Sequence, residues 1–153
     1  MKTMAFAVLA VSTLLSANAP AKDKDKAKED VIWPAESVKW EPGPAPGTKV
    51  AKLWGDWSKG GPYGVLVKFD AGKINALHHH THALKIVILS GTFTHKTDGG
   101  PESLLGPGSY LMQAAGKKHV SGCTTAGECT FMVTSDGKFD LIDDSKAAAS
   151  DKK

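Results

Sequence analysis

Gly72-Lys73-Ile74-Asn75-Ala76-Leu77-His78-His79-His80-Thr81-His82-Ala83-Leu84-Lys85-Ile86-Val87-Ile88-Leu89-Ser90-Gly91 is the stretch on which the reading of this chain turns. Four of the chain's six histidines fall within five residues, between two glycines. Imidazole is well suited to holding a transition metal near neutral pH, so these residues are the first candidates for a metal site. In an extended strand side chains alternate between faces, which sets His78, His80 and His82 on one face and His79 and Thr81 on the other. Three same-face residues span about 13 Å, whereas metal–nitrogen bonds are about 2.0 to 2.1 Å. One ion therefore takes two of the three, and a third ligand must come from elsewhere in the chain.

The flanking sequence has little helical periodicity. Short apolar runs are punctuated by Gly, Pro or Asp, the pattern of an all-β sandwich or barrel. Val38 to Trp40 reads as an approach strand and Glu41 to Thr48, rich in Pro and Gly, as a loop. Strands are expected at Val50 to Trp54, Tyr63 to Phe69, the histidine stretch, Leu84 to Leu89, Thr92 to His95 and Ser103 to Leu105. Others follow at Tyr110 to Gln113, His119 to Gly122, Cys129 to Thr134 and Phe139 to Ile142. The run Leu84 to Leu89 is nearly continuous in apolar residues, as expected of a strand covered on both faces.

The spacings add a resemblance. Gly72-x5-His78-x-His80, ten residues and then Gly91 is followed by Gly108-x5-Ala114-x-Gly116-x2-His119-x3-Cys123. This is similar to the two motifs of the cupin superfamily, G-x5-H-x-H-x3,4-E-x6-G and G-x5-P-x-G-x2-H-x3-N, over Gly72 to Cys123. The resemblance implies a single-domain jelly-roll β-barrel with His78, His80 and His119 converging on one metal. Leu84 or Lys85 stands where the family has its glutamate ligand, Ala114 replaces a proline and Cys123 replaces an asparagine. A three-imidazole site without a carboxylate suits Fe, Zn, Mn, Ni or Cu and does not distinguish among them. His82, paired with His80 or reaching in through a bulge in place of the glutamate, stays open as an alternative ligand. So does a solvated His-rich strand with no bound metal. Leu53-Trp54-Gly55-Asp56, Ile86 to Gly91 and Gly108-Ser109-Tyr110-Leu111-Met112-Gln113-Ala114-Ala115-Gly116-Lys117-Lys118-His119 resemble a bacterial cupin subfamily related to the cupin domains of zinc anti-sigma factors. Tyr63, Tyr110 and Gln113 are candidate pocket-lining residues, with Trp54 beside them. His95 reads as either a base near the metal or a surface residue.

The ends of the chain point to export. Lys2 precedes an apolar run from Met4 to Leu15 and then small residues, so 1–21 is expected to be a secretory signal peptide that leaves no membrane anchor after cleavage. Residues 22–36 begin with alternating Lys and acids and read as a disordered charged linker; 37–144 would be the barrel and 145–153 a flexible tail. The expected compartment is the periplasm or the exterior of a bacterium. There Cys123 and Cys129, with the five residues of a polar loop between them, can form a disulfide.

The net charge is +3, and every basic residue is a lysine. Without Arg there is no bidentate clamp for phosphates or guanine edges, which argues against nucleic-acid binding. Three functions remain: a metal-dependent enzyme of the small-molecule dioxygenase type, a non-catalytic metal or small-ligand binding or sensor protein, and a structural module. The expected partner is a small molecule. The cupin resemblance adds homodimerisation.

Overall fold

Leu84, Ile86 and Ile88 are buried, while Lys85, Val87 and Leu89 between them are exposed. The two-residue period of a strand with one wet face therefore survives inside a run that looks uniformly apolar. This corrects the expectation of cover on both faces, since Val87 is 37% and Leu89 48% exposed. The computed structural model describes residues 29–145. The signal-peptide segment 1–21, linker residues 22–28 and the tail beyond Ser145 lie outside the described residues.

Eleven strands form among the described residues. They are β1 (Glu41–Pro42), β2 (Thr48–Trp54), β3 (Tyr63–Phe69), β4 (Ile74–His79), β5 (Leu84–Ser90), β6 (Phe93–Thr97), β7 (Glu102–Leu105), β8 (Tyr110–Gln113), β9 (His119–Cys123), β10 (Cys129–Ser135) and β11 (Ile142–Asp143). One sheet has the order β1-β2-β3-β10-β5-β8 and the other β11-β4-β9-β6-β7, with antiparallel pairing throughout. The fold is the all-β jelly-roll barrel expected. Among the described residues no helix is long and apolar enough to cross a membrane.

Two expected strands are displaced. Val38 to Trp40 is not a strand; a 3-10 turn at Ala35–Ser37 precedes it, and the Trp40 ring instead packs under the Lys68 ammonium, 4.8 Å away. Pairing starts inside the supposed loop, at β1, where Pro42 is tolerated because this strand is an edge. Phe139 to Leu141 is likewise unpaired. The Phe139 N–H donates to the Trp57 carbonyl, 2.8 Å away, so it serves a loop and not a ladder.

Phe69 on β3, Phe131 on β10 and Phe93 on β6 meet at centroid distances of 5.0 Å (Phe69–Phe131), 4.8 Å (Phe93–Phe131) and 6.2 Å (Phe69–Phe93). They join the two sheets through an apolar core. Beside them Cys123 and Cys129 form a disulfide with a Cα separation of 5.9 Å. Its two strands belong to opposite sheets, so it staples the layers together and does not bridge a hairpin. Gly91 opens the approach at this end. Its φ is +72°, and a side chain there would strike the Glu128 carbonyl and the Cys129 backbone.

Phe93→Ala is expected to cost about 3 to 5 kcal/mol of unfolding free energy. Reducing the disulfide is expected to cost about 2 kcal/mol, as its closed loop is short. Urea denaturation of the oxidised, reduced and Phe93→Ala proteins measures both, with the Phe93 loss the larger.

Candidate metal centre

The barrel end opposite the disulfide carries the imidazoles, because β9 has Cys123 at one terminus and His119 at the other. β4 pairs with β9 through Asn75↔Ser121 and His78↔His119, so β4 holds one extra residue between the two pairs. That bulge changes the parity of the strand and lets Asn75 and His78, three residues apart, line the same cavity. His80 lies just beyond β4. The expected same-face arrangement of His78 and His80 is present: both are buried with the less buried His79 between them, as alternation predicts, and the bulge lies before the pair.

His78, His80 and His119 are 2%, 5% and 2% exposed, and one ring nitrogen of each lies within 4.8 Å of the others. Ring centroids are 4.2 Å apart for His78–His119, 5.0 Å for His78–His80 and 5.3 Å for His80–His119. Each Nδ1 faces a backbone carbonyl: Ala76 for His78 at 2.6 Å, Lys117 for His119 at 2.8 Å, and Asp140 for His80. A carbonyl only accepts, so every Nδ1 carries its proton and the lone pair lies on Nε2. The Nε2 of His119 is buried with no hydrogen-bond partner. Oriented imidazoles with free Nε2 lone pairs are what a metal requires, so the donor set fits a divalent transition ion.

The other candidates divide. Tyr63, at 1% exposed, and Gln113, at 5%, line the cavity. Tyr110 does not: it is 60% exposed, because Gln113 points inward and the residue three before it on β8 must point out. Trp54 is 48% exposed and lies over Gly64. His82 is also a correction. The chain turns after His79, and the exposed His82 ring covers Gly137 without joining the cluster. Leu84 fills the inward position where a glutamate was sought, while Lys85 faces out to Asp136 at 3.5 Å. Across the strand pair from Leu84 stands Gln113.

One feature was left open by the sequence and another escaped it. His95 is half-buried, 5.0 Å from His119 between ring centroids, with the Gln113 amide nitrogen 3.5 Å from its Nδ1. Its position two residues after the buried Phe93 was a usable signal. The second is a strap, residues 139–144, across the mouth. Asp140 accepts from Thr81 N–H at 2.8 Å, Asp144 N–H donates to the Leu77 carbonyl at 2.9 Å, and Phe139 packs on His80 at 5.4 Å. The Asp144 carboxylate accepts from His79 Nδ1 at 2.6 Å and pairs with Lys118 at 3.1 Å. The hydrogen bond from His79, with Lys118 adding to it, holds the Asp144 carboxyl below its usual range.

A family model described as a domain of unknown function, DUF4437, matches residues 9–142. The chain belongs to the DUF4437 family. No curated protein matches this DUF4437 chain. Among solved structures it is similar to the polyketide cyclase RemF from Streptomyces resistomycificus, at 20% identity over 75% of this chain and 85% of that one, with a TM-score of 0.64. An RmlC-like cupin from Shewanella frigidimarina is 19% identical over 71% and 91%, with a TM-score of 0.57. KdgF from a Halomonas species is 18% identical over 71% and 94%, with a TM-score of 0.56. These likenesses establish that the DUF4437 chain has a cupin-type fold.

Burial drives all four clustered imidazoles toward the neutral form. It lowers His78 and His95 to about 4, and His80 and His119 also fall below the usual imidazole range. A group that binds its proton more readily when unfolded makes folding stability fall as pH drops. The metal-free protein is therefore expected to lose thermal stability between about pH 6.5 and about pH 4. The carboxyls of Asp140 and Asp144, held below the usual carboxylate range, contribute at lower pH, so this window belongs to the histidines. Melting curves from pH 7.5 to 4.5 test this, and a flat melting temperature would contradict it.

Proposed function

We propose that this chain binds one divalent transition metal through His78, His80 and His119 and uses it to act on a small molecule in the barrel cavity. The observation that carries this reading is the set of three buried imidazoles, each Nδ1 tied to a backbone carbonyl, with the His119 Nε2 left without a partner. When bound, such a metal supplies Lewis acidity toward a carbonyl oxygen and, if redox-active, a route to O2. The protein's own residues orient and exclude. Phe139 and Leu141 at the mouth limit water, Gln113 and Asn75 offer amides to a polar group, and neutral His95 offers a weak base beside His119.

Among the described residues no Asp, Glu or Lys belongs to the cavity lining. Chemistry that depends on a carboxylate acid–base pair is therefore disfavoured, and dioxygenase-type oxidation needs no such pair. Non-oxidative carbonyl chemistry is the second enzymatic reading, supported by the likeness to a polyketide cyclase. The same shortage of proton-transfer groups supports a non-catalytic alternative, a binding or sensor protein. The Cys123–Cys129 disulfide supports export to an oxidising periplasm or exterior, with the N-terminal segment 1–21 as signal peptide. The exposed apolar row Val87, Leu89, Tyr110 and Met112 supports a homodimer. The Leu53 to Asp56 and Gly108 to His119 segments keep the likeness to the zinc anti-sigma cupin subfamily within this reading.

Elemental analysis of protein from its native compartment is expected to find about one equivalent of metal. His119→Ala and the His78→Ala/His80→Ala double variant should each lose it, and His82→Ala should keep it. Retention of a full equivalent by the double variant would sink the ligand assignment. Oxygen uptake with candidate substrates then separates oxidation from binding.

A further inference from the structure

We infer that the cavity takes a compact ligand with a hydrocarbon body and a single oxygen function at its histidine end, and that it rejects molecules carrying a second charge, such as amino acids. This rests on the metal-site reading above only for the orientation of the oxygen function.

The walls carry the argument. Tyr63, Val65, Phe93, Phe131 and Val133 are buried core residues that also line the cavity, so its body is the interior of the barrel. Its polar lining consists of side chains without a fixed charge: Asn75, Gln113, Ser121, Thr48 and the Tyr63 hydroxyl, besides the imidazoles. The chain has no Arg, and among the described residues neither Lys nor a carboxylate reaches the lining. A charge brought into such walls loses its water and finds no opposite charge. A bound metal satisfies one oxygen of the ligand. It cannot also satisfy an ammonium or a second carboxylate at the far end. Size narrows the class further. The cavity volume is about 80 Å³, well below the roughly 300 to 1,000 Å³ of drug-sized sites. Anything beyond a few heavy atoms requires the strap at Phe139 and Leu141 to move.

Butyrate and 4-aminobutyrate differ by one ammonium group at the end away from the carboxylate and are suitable probes, with 2-pentanone as a neutral one. Ligand-detected NMR titration of the full-length, metal-loaded protein is expected to give butyrate at least a tenfold advantage over 4-aminobutyrate. 2-Pentanone is expected to bind both the loaded and the chelator-stripped protein. Binding to protein that takes up no metal would leave the cavity assignment standing while removing the metal reading, so the two failures can be told apart. Leu141 lies at the mouth and is 40% exposed, so Leu141→Lys should fold; it is expected to weaken 2-pentanone at least threefold. Equal or tighter binding of 4-aminobutyrate overturns the inference. So does an absence of 2-pentanone binding by both forms.

Discussion

Three backbone carbonyls, those of Ala76, Lys117 and Asp140, make this barrel's site possible. Imidazole is a poor core residue unless it is neutral and its N–H has a partner. Each carbonyl meets that need at Nδ1 and so decides the tautomer, sending the lone pair to Nε2. Two of the carbonyls lie two residues before their own histidine, so the local chain path supplies them. The third is 60 residues away on the strap, which makes His80 the ligand whose orientation depends on tertiary structure.

The opposite end of the barrel carries the load of folding. The Phe69–Phe93–Phe131 cluster and the disulfide join the two sheets there, leaving the histidine end free to hold polar groups that contribute little to stability. This division has a physical reason. A neutral imidazole cluster destabilises the fold progressively as pH falls, so the core must supply enough apolar burial to offset it.

Much of this was legible in the sequence, and the limits are instructive. The cupin resemblance singled out His78, His80 and His119, and its glycine spacing was readable because Gly91 is required by a positive φ and by the close approach of Cys129, constraints that leave a mark at one position. The barrel was legible from its turns. Alternation placed His80 beside His78 correctly, but it could not show that Asn75 shares their cavity, since one extra residue in β4 is not visible in the sequence. His82 misled because a run of histidines looks like a continuous strand when the chain in fact turns at Thr81. The strap was invisible for another reason. Its residues act through backbone groups, as with the Asp140 carbonyl and the Asp144 N–H, and these have no compositional signature.

The strap joins access and ligation in one element. Phe139 and Leu141 bound the cavity, while the carbonyl of Asp140 between them holds His80. Moving these residues far enough to admit a larger ligand would stretch or break the bond to His80 Nδ1. A ring freed of that bond can rotate or change tautomer, and either weakens Nε2 as a donor. The His79–Asp144–Lys118 contacts and the Asp144–Leu77 backbone bond lie at the far end of the strap, beyond Asp140. The Phe139 N–H bond to the Trp57 carbonyl and the Thr81 N–H bond to the Asp140 carboxylate hold the other end. Tied on both sides of Asp140, the strap keeps the third imidazole in place and confines any opening to small displacements.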